Sequence, residues 1–197
     1  MAHPRILVFS GSARTGSHNA RLASLVGQRL GENGAEVSSI SLRDFPMPLY
    51  DGDLENSEGV PENAVALKRL IQQHHGVFIA SPEYNAGVTP LLKNVIDWIS
   101  RVSEPSEPRM AAYKGRVFAL GSASTSPFGG IRGLANLRLV LETGVGALVI
   151  PEMIAVPNAA DAFDPSGGLA NERAAASLSA MIRALIAEAS LRMSKAA

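Results

Sequence analysis

The sequence predicts an α/β fold for residues 1–197, a single domain in which helices cover both faces of a parallel sheet. Five short apolar segments alternate with stretches in which apolar residues recur at helical spacing. Three of these segments are nearly continuous hydrophobic runs, which are typical of strands buried on both faces. Parallel strands need crossover connections, and the helical stretches supply them.

Strands and helices alternate regularly along the chain. The predicted strands are residues 6–9, 37–42, 77–80, 117–120 and 148–156. Helical spacing predicts helices around residues 22–30, 67–71, 91–99, 134–141 and 178–185, with Pro90 at the start of the third. Five such units suit the flavodoxin-like fold, a five-stranded parallel sheet with the strand order 2-1-3-4-5. The polar, turn-rich segments 46–59 and 157–168 predict long surface loops.

Composition excludes several classes of function. The 18 basic and 18 acidic residues give zero net charge, which argues against a nucleic-acid partner. The absence of cysteine excludes disulfides, thiolate metal sites and cysteine nucleophiles, and it fits a cytoplasmic protein. No apolar run reaches the roughly 18 residues that would span a membrane. No cluster of His, Asp and Glu has the spacing of metal ligands, so no metal site is predicted.

The loop after the first predicted strand, residues 11–19, reads GSARTGSHN. It offers two glycines, three hydroxyls, an amide and the guanidinium of Arg14, with no carboxylate, and it leads into a helix. Such a set of donors at a helix N-terminus suits a phosphate group. Ser17 stands where a Walker A loop has lysine, and the GxGxxG pattern of dinucleotide sites is absent. The alternative is that Ser17 or Asn19 merely caps the helix.

The loop after the third predicted strand reads SPEYNAGVTP over residues 81–90. Its two prolines and one glycine fix the course of the backbone, and Tyr84 adds an aromatic edge, which together suit a flat heterocycle such as an isoalloxazine ring. The alternative is a rigid connection with Tyr84 in the core. In the following helix, Lys93 and Asp97 have the spacing of a surface ion pair, and Trp98 belongs to the core or to a subunit interface.

The loop after the fourth predicted strand reads GSASTSPFGG over residues 121–130. It is rich in small hydroxyl residues, and two adjacent glycines precede the next helix. These residues could close over a ring or donate hydrogen bonds to its pyrimidine edge. The alternative is a flexible polar loop without a ligand.

Together the three loops resemble the NADPH-dependent FMN reductase family, which includes chromate, quinone and azo-dye reductases. The motifs that carry this resemblance are GSARTGSHN, SPEYNAGVTPLLKNVIDW and the serine-rich stretch that ends in Gly129-Gly130. The resemblance spans residues 5 to 156, and the segment FPMPLYD at 45–51 is similar to a family segment near the flavin. The third motif is the one that departs most from the family pattern.

The resemblance implies a set of cofactor-binding residues. Ser12, Arg14, Ser17 and Asn19 would bind the phosphate of FMN. Pro82, Glu83, Tyr84 and Asn85 would line the isoalloxazine ring, largely through backbone atoms. Ser122, Gly129 and Gly130 would complete the site.

The resemblance also implies an activity. NADPH or NADH would deliver hydride to N5 of FMN, and a quinone, azo compound, chromate or flavin would then accept the electrons. Because the cofactor carries this chemistry, no catalytic side chain is predicted. Accordingly, His18, His74 and His75 are poor catalytic candidates, the last two at a helix end. The protein would be a homodimer or homotetramer.

Three other functions are alternatives to this interpretation. A flavodoxin-type electron carrier usually has an acidic surface and aromatic residues against the flavin, whereas this chain has zero net charge and 5% aromatic residues. A non-catalytic FMN-binding module would bind FMN without turnover. A serine hydrolase is disfavoured because the sequence contains no GxSxG motif.

Overall fold

The computed structural model of the chain describes residues 2–105 and 107–193. Its seven strands are β1 (Arg5–Ser10), β2 (Glu36–Ser41), β3 (Gly76–Ala80), β4 (Glu83–Tyr84), β5 (Gly87–Val88), β6 (Val117–Ala123) and β7 (Leu148–Val156). Five of them form a parallel sheet in the order β2-β1-β3-β6-β7, and β4 pairs with β5 in a small antiparallel hairpin. Leaving out the hairpin, this order is the predicted 2-1-3-4-5, so the fold class is confirmed.

Helices cover both faces of the sheet. They are α1 (His18–Glu32), α2 (Gly52–Glu58), α3 (Glu62–Gln72), α4 (Pro90–Arg101), α5 (Ile131–Leu139) and α6 (Glu172–Met193). Neighbouring residues of a strand face opposite sides, so Ile6 packs with α1 and α6 whereas Leu7 packs with α3, α4 and α5. Both faces of the central strands are buried under helices, so residues on both faces are apolar. This explains the continuous hydrophobic runs of β1, β3 and β6.

The register of the parallel strands brings three loops to one edge of the sheet. Ser10 lies opposite Ala80 at the ends of β1 and β3, and Ala80 lies opposite Gly121 in β6. The loops that follow β1 and β3 therefore leave the sheet side by side, with the end of β6 next to them. This is the switch point at which open α/β sheets bind ligands.

The structure differs from the sequence-based prediction in several places. Residues 121–123, predicted to begin the third loop, extend β6, and the second predicted loop contains the hairpin of β4 and β5. The segment 46–59 was predicted to be a loop, but it contains α2, which Asp51 caps by accepting from the backbone N of Asp53 at 2.7 Å. This helix has no buried residue, so no apolar periodicity could indicate it. The segment 157–168 is largely irregular, as predicted, yet Ala159 and Phe163 are buried in the core.

Among the described helices, only α6 is long and apolar enough to cross a membrane by length and composition. Its most apolar window has a mean hydropathy of 1.4, and 28% of that window is buried. The buried residues lie at helical spacing and face the sheet: Leu178, Met181, Ile182, Leu185 and Ala189. The apolar character of α6 thus follows in part from its packing on the sheet.

Two histidines follow the end of α3, at the edge of the sheet opposite the three loops. His74 donates through Nδ1 to the carbonyl O of Leu70 at 2.7 Å, and His75 accepts at Nδ1 from the backbone N of Arg5 at 3.0 Å. Burial lowers the pKa of both side chains, and the positive charge of Arg5 lowers them further. Both histidines are therefore neutral in the folded protein near neutral pH.

This arrangement predicts that the free energy of unfolding falls as the pH falls. The unfolded histidines have pKa values of about 6.5, above those in the folded state, so below about pH 6.5 the unfolded chain binds more protons. The substitution His75→Asn keeps an acceptor for Arg5 but cannot titrate. Urea unfolding at about pH 7.5 and about pH 5.5 should show a smaller loss of stability for this variant than for the unchanged protein. Equal losses would contradict the prediction.

Candidate functional site

A cleft of about 340 Å³ opens at the switch point of the sheet. Two larger cavities, of about 580 and 420 Å³, lie beside α6 and are not lined by the first or the second loop. The cleft is lined by residues of all three loops: Ser12, Arg14, Ser17, His18, Asn19, Pro82, Glu83, Tyr84, Ala123, Ser124 and Thr125. Seven of the eleven residues predicted to bind the cofactor are among them, and Asn85, Ser122, Gly129 and Gly130 are not.

The first loop presents unpaired donors to the cleft. The hydroxyl O of Ser12 accepts from the backbone N of Arg14 at 3.3 Å, and Ser17 caps α1 by accepting from the backbone N of Ala20 at 3.4 Å. The proton of each hydroxyl is left to donate. The guanidinium of Arg14 is exposed and makes no hydrogen bond or ion pair within the part of the chain that the structure describes. The first acidic residue of the sequence is Glu32, so no carboxylate of this loop opposes an anion.

Asn19 connects the first loop with the third. Its side-chain amide donates to the carbonyl O of Ala123 at 2.8 Å and accepts from the backbone N of Ala123 at 2.9 Å. The side chain is buried, so these bonds fix the start of α1 against the end of β6. One amide proton and the backbone N–H of Asn19 remain for a ligand, and its predicted contact with phosphate stays a prediction.

Two residues that the sequence reasoning missed hold the first loop in place. Arg43, in the 3₁₀ turn that follows β2, donates to the carbonyl O of Ala13 and to the hydroxyl of Thr15, the latter at 3.1 Å. Thr89, the buried N-cap of α4, donates to the carbonyl O of Gly11 at 2.9 Å. Thr89 could have been found from the sequence, because a threonine before a proline is typical of a helix N-cap. Arg43 lies 28 to 30 residues from its partners, and no sequence pattern indicated these contacts.

The second loop is a tight hairpin. Asn85 and Ala86 form its turn with φ angles of 50° and 64°. Such positive φ angles are uncommon for residues other than glycine, although asparagine adopts them more often than most. Tyr84 is 55% exposed, so the alternative that placed it in the core was wrong. The exposed Tyr84 lines the cleft together with Pro82 and Glu83.

The carboxylate of Glu83 binds protein groups. It accepts from the backbone N of Gly133 at 2.9 Å and from Arg132, and the guanidinium of Arg132 lies over the ring of Phe128. Burial alone would raise the pKa of Glu83, but the hydrogen bond from Gly133 and the positive charge of Arg132 outweigh it and hold the pKa below its ordinary value. The side chain therefore fastens the hairpin to the start of α5 and leaves the backbone for a ligand.

The third loop is packed closely around two glycines. Gly129 and Gly130 have φ angles of 62° and 85°, and a Cβ on Gly130 would lie 2.0 Å from the hydroxyl O of Ser122. Ser122 is fully buried, and its hydroxyl is the only buried one without a partner among residues 2–105 and 107–193. Such a group costs stability unless something completes its hydrogen bonding. The cofactor contacts predicted for these three residues stay predictions.

The helical part of the second motif holds a neighbouring segment in place. Asn94 accepts from the backbone N of Tyr50 at 2.7 Å, and the indole N–H of Trp98 donates to the carbonyl O of Pro48 at 2.8 Å. Trp98 is fully buried, which agrees with the predicted location in the core rather than at a subunit interface. Lys93 and Asp97 form the predicted surface ion pair at 2.8 Å. The motif thus anchors the segment 45–51 on α4.

The arrangement suits binding and orientation of a ligand. The first loop provides hydroxyl, guanidinium and helix N-terminal donors for an anion, and the hairpin provides fixed backbone groups beside an aromatic ring. No group of three or more His, Cys, Asp or Glu side chains that could hold a metal ion occurs in the described ranges 2–105 and 107–193. Such a combination of groups would suit a ligand with a phosphate and a flat polar ring.

Comparison with known proteins shows similarity in both sequence and fold. The family profile of NADPH-dependent FMN reductase matches residues 4–161. A quinone reductase from Escherichia coli (strain K12) is 36% identical over 138 residues, which are 70% of this chain and 69% of that protein. An NAD(P)H-dependent FMN reductase from Pseudomonas aeruginosa is 32% identical over 183 residues, 92% of each chain. The structure of FerB, a flavoenzyme NAD(P)H:(acceptor) oxidoreductase from Paracoccus denitrificans, superimposes with a TM-score of 0.75 at 27% identity, covering 96% of this chain and 98% of FerB.

The contacts of Glu83 predict that Glu83→Gln destabilises the fold. Gln keeps an acceptor for Gly133 but loses the charge that binds Arg132, so the free energy of unfolding should fall by about 1–2 kcal/mol. The matched control is Asp97→Asn in the exposed pair with Lys93, for which we expect a loss of about 0.5 kcal/mol or less. Urea unfolding of both variants checks this prediction, and equal losses would count against a special role for Glu83.

Proposed function

Because the chain belongs to the NADPH-dependent FMN reductase family, we propose that the cleft holds FMN with its phosphate on the first loop. Family membership makes the chain an oxidoreductase that uses FMN and NAD(P)H. It also favours an enzyme over the electron-carrier and non-catalytic alternatives. The proposal adds the placement of the cofactor, the roles of individual residues and the course of the reaction.

The observation that carries the proposal is the donor set of the first loop. Ser12 and Ser17 have hydroxyl protons left to donate, and the guanidinium of Arg14 is unpaired within the described residues. The N-terminus of α1 adds backbone N–H groups and the positive end of a helix dipole. A phosphate dianion would satisfy all these donors, and no nearby carboxylate of the loop would repel it.

The remaining predicted residues fit the other parts of FMN. We propose that Pro82, Glu83, Tyr84 and Asn85 support the isoalloxazine through their backbone, since the Glu83 carboxylate is engaged with α5. Ser122 is fully buried and does not line the cleft, so it would support the site by packing against Gly130 beneath the third loop. Asn19, Gly129 and Gly130 would shape the cleft by holding the first and third loops in place.

We propose that FMN, when bound in the cleft, would accept hydride from NADPH or NADH at N5 and would then give up two electrons to a quinone, azo compound, chromate or free flavin. The protein residues orient the reactants, and no side chain is assigned as acid or base. The exposed ring of Tyr84 leaves the rim of the cleft open to exchange of one small molecule for another. The name of the Escherichia coli relative favours a quinone as acceptor. A homodimer or homotetramer in the cytoplasm completes the proposal.

Anaerobic reduction tests the proposed reaction. The purified protein, supplied with FMN, is mixed with NADPH or NADH, and the flavin absorbance is followed. A panel of quinones, azo dyes, chromate and free FMN is then added. We expect rapid bleaching and reoxidation by at least one acceptor. A protein without a flavin band after supply of FMN would overturn the proposal, and bleaching only by a chemical reductant would indicate an electron carrier.

The placement of the phosphate predicts the effect of Arg14→Ala. The loss of a charged hydrogen bond of roughly 1.5–3 kcal/mol should weaken FMN binding by about one to two orders of magnitude. Riboflavin, which has no phosphate, should bind the variant and the unchanged protein equally. Fluorescence titration with both flavins measures this difference. An unchanged affinity for FMN would show that the phosphate lies elsewhere.

A further inference from the structure

Arg43 lies outside the cleft, on the 3₁₀ turn Leu42–Asp44 that follows the edge strand β2. We propose that it is a positioning residue, which holds the phosphate loop in the shape that binds the cofactor without itself touching the cofactor. This inference rests on the proposed placement of FMN. Neither the sequence motifs nor the cleft-lining residues include Arg43.

The contacts of Arg43 span two parts of the loop. Its Nε donates to the carbonyl O of Ala13, and its second guanidinium nitrogen donates to the hydroxyl of Thr15 at 3.1 Å. The side chain of Ser41 accepts from the backbone N of Arg43 at 3.2 Å and fixes the turn from which the guanidinium extends. A planar guanidinium with two engaged donors restrains both the distance and the orientation of the groups it joins.

These bonds matter because the outer half of the loop has few others. Within the described residues, the hydrogen bonds of residues 13–16 are either local, between Arg14 and the neighbouring Ser12 or Ser17, or go to Arg43. The start of the loop has other long-range hydrogen bonds, since Gly11 donates to the carbonyl O of Ala80 and accepts from the hydroxyl of Thr89. Arg43 is therefore the one long-range hydrogen-bonding partner of this exposed segment in the ranges 2–105 and 107–193.

Arg43 also sets the direction of donors that face the cleft. The carbonyl of Ala13 and the N–H of Arg14 belong to one planar trans peptide, so they point in opposite directions. Holding the carbonyl toward Arg43 turns the N–H toward the hydroxyl O of Ser12, which accepts it at 3.3 Å. With its oxygen occupied, the Ser12 hydroxyl has its proton free to donate. The bond from Arg43 to Ala13, outside the cleft, thus orients the hydroxyl of Ser12 as a donor inside the cleft.

Ordering this loop on ligand binding would cost conformational entropy, and the contacts of Arg43 would reduce that cost. Gly16 has a φ angle of 68°, in the left-handed region that favours glycine, and a Cβ there would face open space, while Arg14, Thr15 and Gly16 are all exposed. A loop that is ordered only when ligand binds loses affinity through the entropy of ordering. By restraining residues 13–15 beforehand, Arg43 lowers that loss.

A comparison of FMN with riboflavin separates this role from a general effect on folding. Both ligands share the ring and the ribityl chain, and only FMN has the phosphate that the loop would bind. For Arg43→Ala we expect FMN to bind roughly five- to tenfold more weakly, from the loss of two hydrogen bonds, while riboflavin affinity stays unchanged. Arg183→Ala serves as the matched control, because Arg183 is an exposed arginine beside a different cavity, between α1 and α6. It should change neither affinity.

Two further variants separate geometry from charge. Arg43→Lys keeps the positive charge but replaces the two donor nitrogens of the planar guanidinium, which reach Ala13 and Thr15 separately, with a single nitrogen, so it should recover only part of the FMN affinity. In a double-mutant cycle, the effect of Arg43→Ala should shrink when Thr15→Val has already removed one acceptor. Full recovery by lysine, with the loss in Arg43→Ala disappearing at high salt, would show a simple charge effect and overturn the proposal.

The same titrations distinguish failure of this inference from failure of the proposed function. If the unchanged protein bound FMN no more tightly than riboflavin, the loop would not be the phosphate site and the proposed placement would be wrong. If the protein preferred FMN and Arg14→Ala abolished that preference while Arg43→Ala did not, the placement would stand and the role of Arg43 would be refuted. Parallel weakening of both flavins by Arg43→Ala would also refute it, since that result indicates a general loss of structure.

Discussion

Ser10, Ala80 and Gly121 lie side by side because β1, β3 and β6 pair in parallel register, and the rest of the cleft depends on this alignment. Backbone bonds extend the pairing one residue into the loops: Gly11 donates to the carbonyl O of Ala80 at 2.8 Å, and Ser81 donates to that of Gly121 at 2.7 Å. The first two loops therefore leave the sheet in fixed directions. The position of the cleft is set by the rigid sheet, and the loops need only complete it.

Beyond the sheet, each loop is linked to another element by a side-chain hydrogen bond. Thr89 at the start of α4 holds the beginning of the first loop, Asn19 at the start of α1 holds the end of β6, and Glu83 holds the hairpin on α5. These bonds cross between loops that meet only in the folded protein, so each of them forms only when the sheet has assembled. They restrain the loops before any ligand arrives, and such restraint reduces the entropic cost of binding.

The sequence predicted the fold well because buried strands and amphipathic helices leave a periodic signal. It predicted the three loops because a ligand site at the switch point follows from the strand order. It did not reveal α2, which buries no residue, or the partners of Asn19 and Arg43, which are separated from them by 104 and by 28 to 30 residues. Contacts between distant segments have no periodicity, and they become visible only when the fold places the segments together.

The second motif identifies the family without identifying the electron acceptor, because its side chains contact the protein. The side chains of Glu83, Asn94 and Trp98 direct their polar groups at the protein itself and hold backbone segments around the cleft. A motif of this kind preserves the shape of the cleft and says little about the molecule that enters it. The exposed rings of Tyr84 and Phe128, 55% and 58% accessible, lie at or near its rim. Differences in acceptor between related enzymes are therefore to be sought among such exposed residues, since the fastening residues can stay the same while the rim changes.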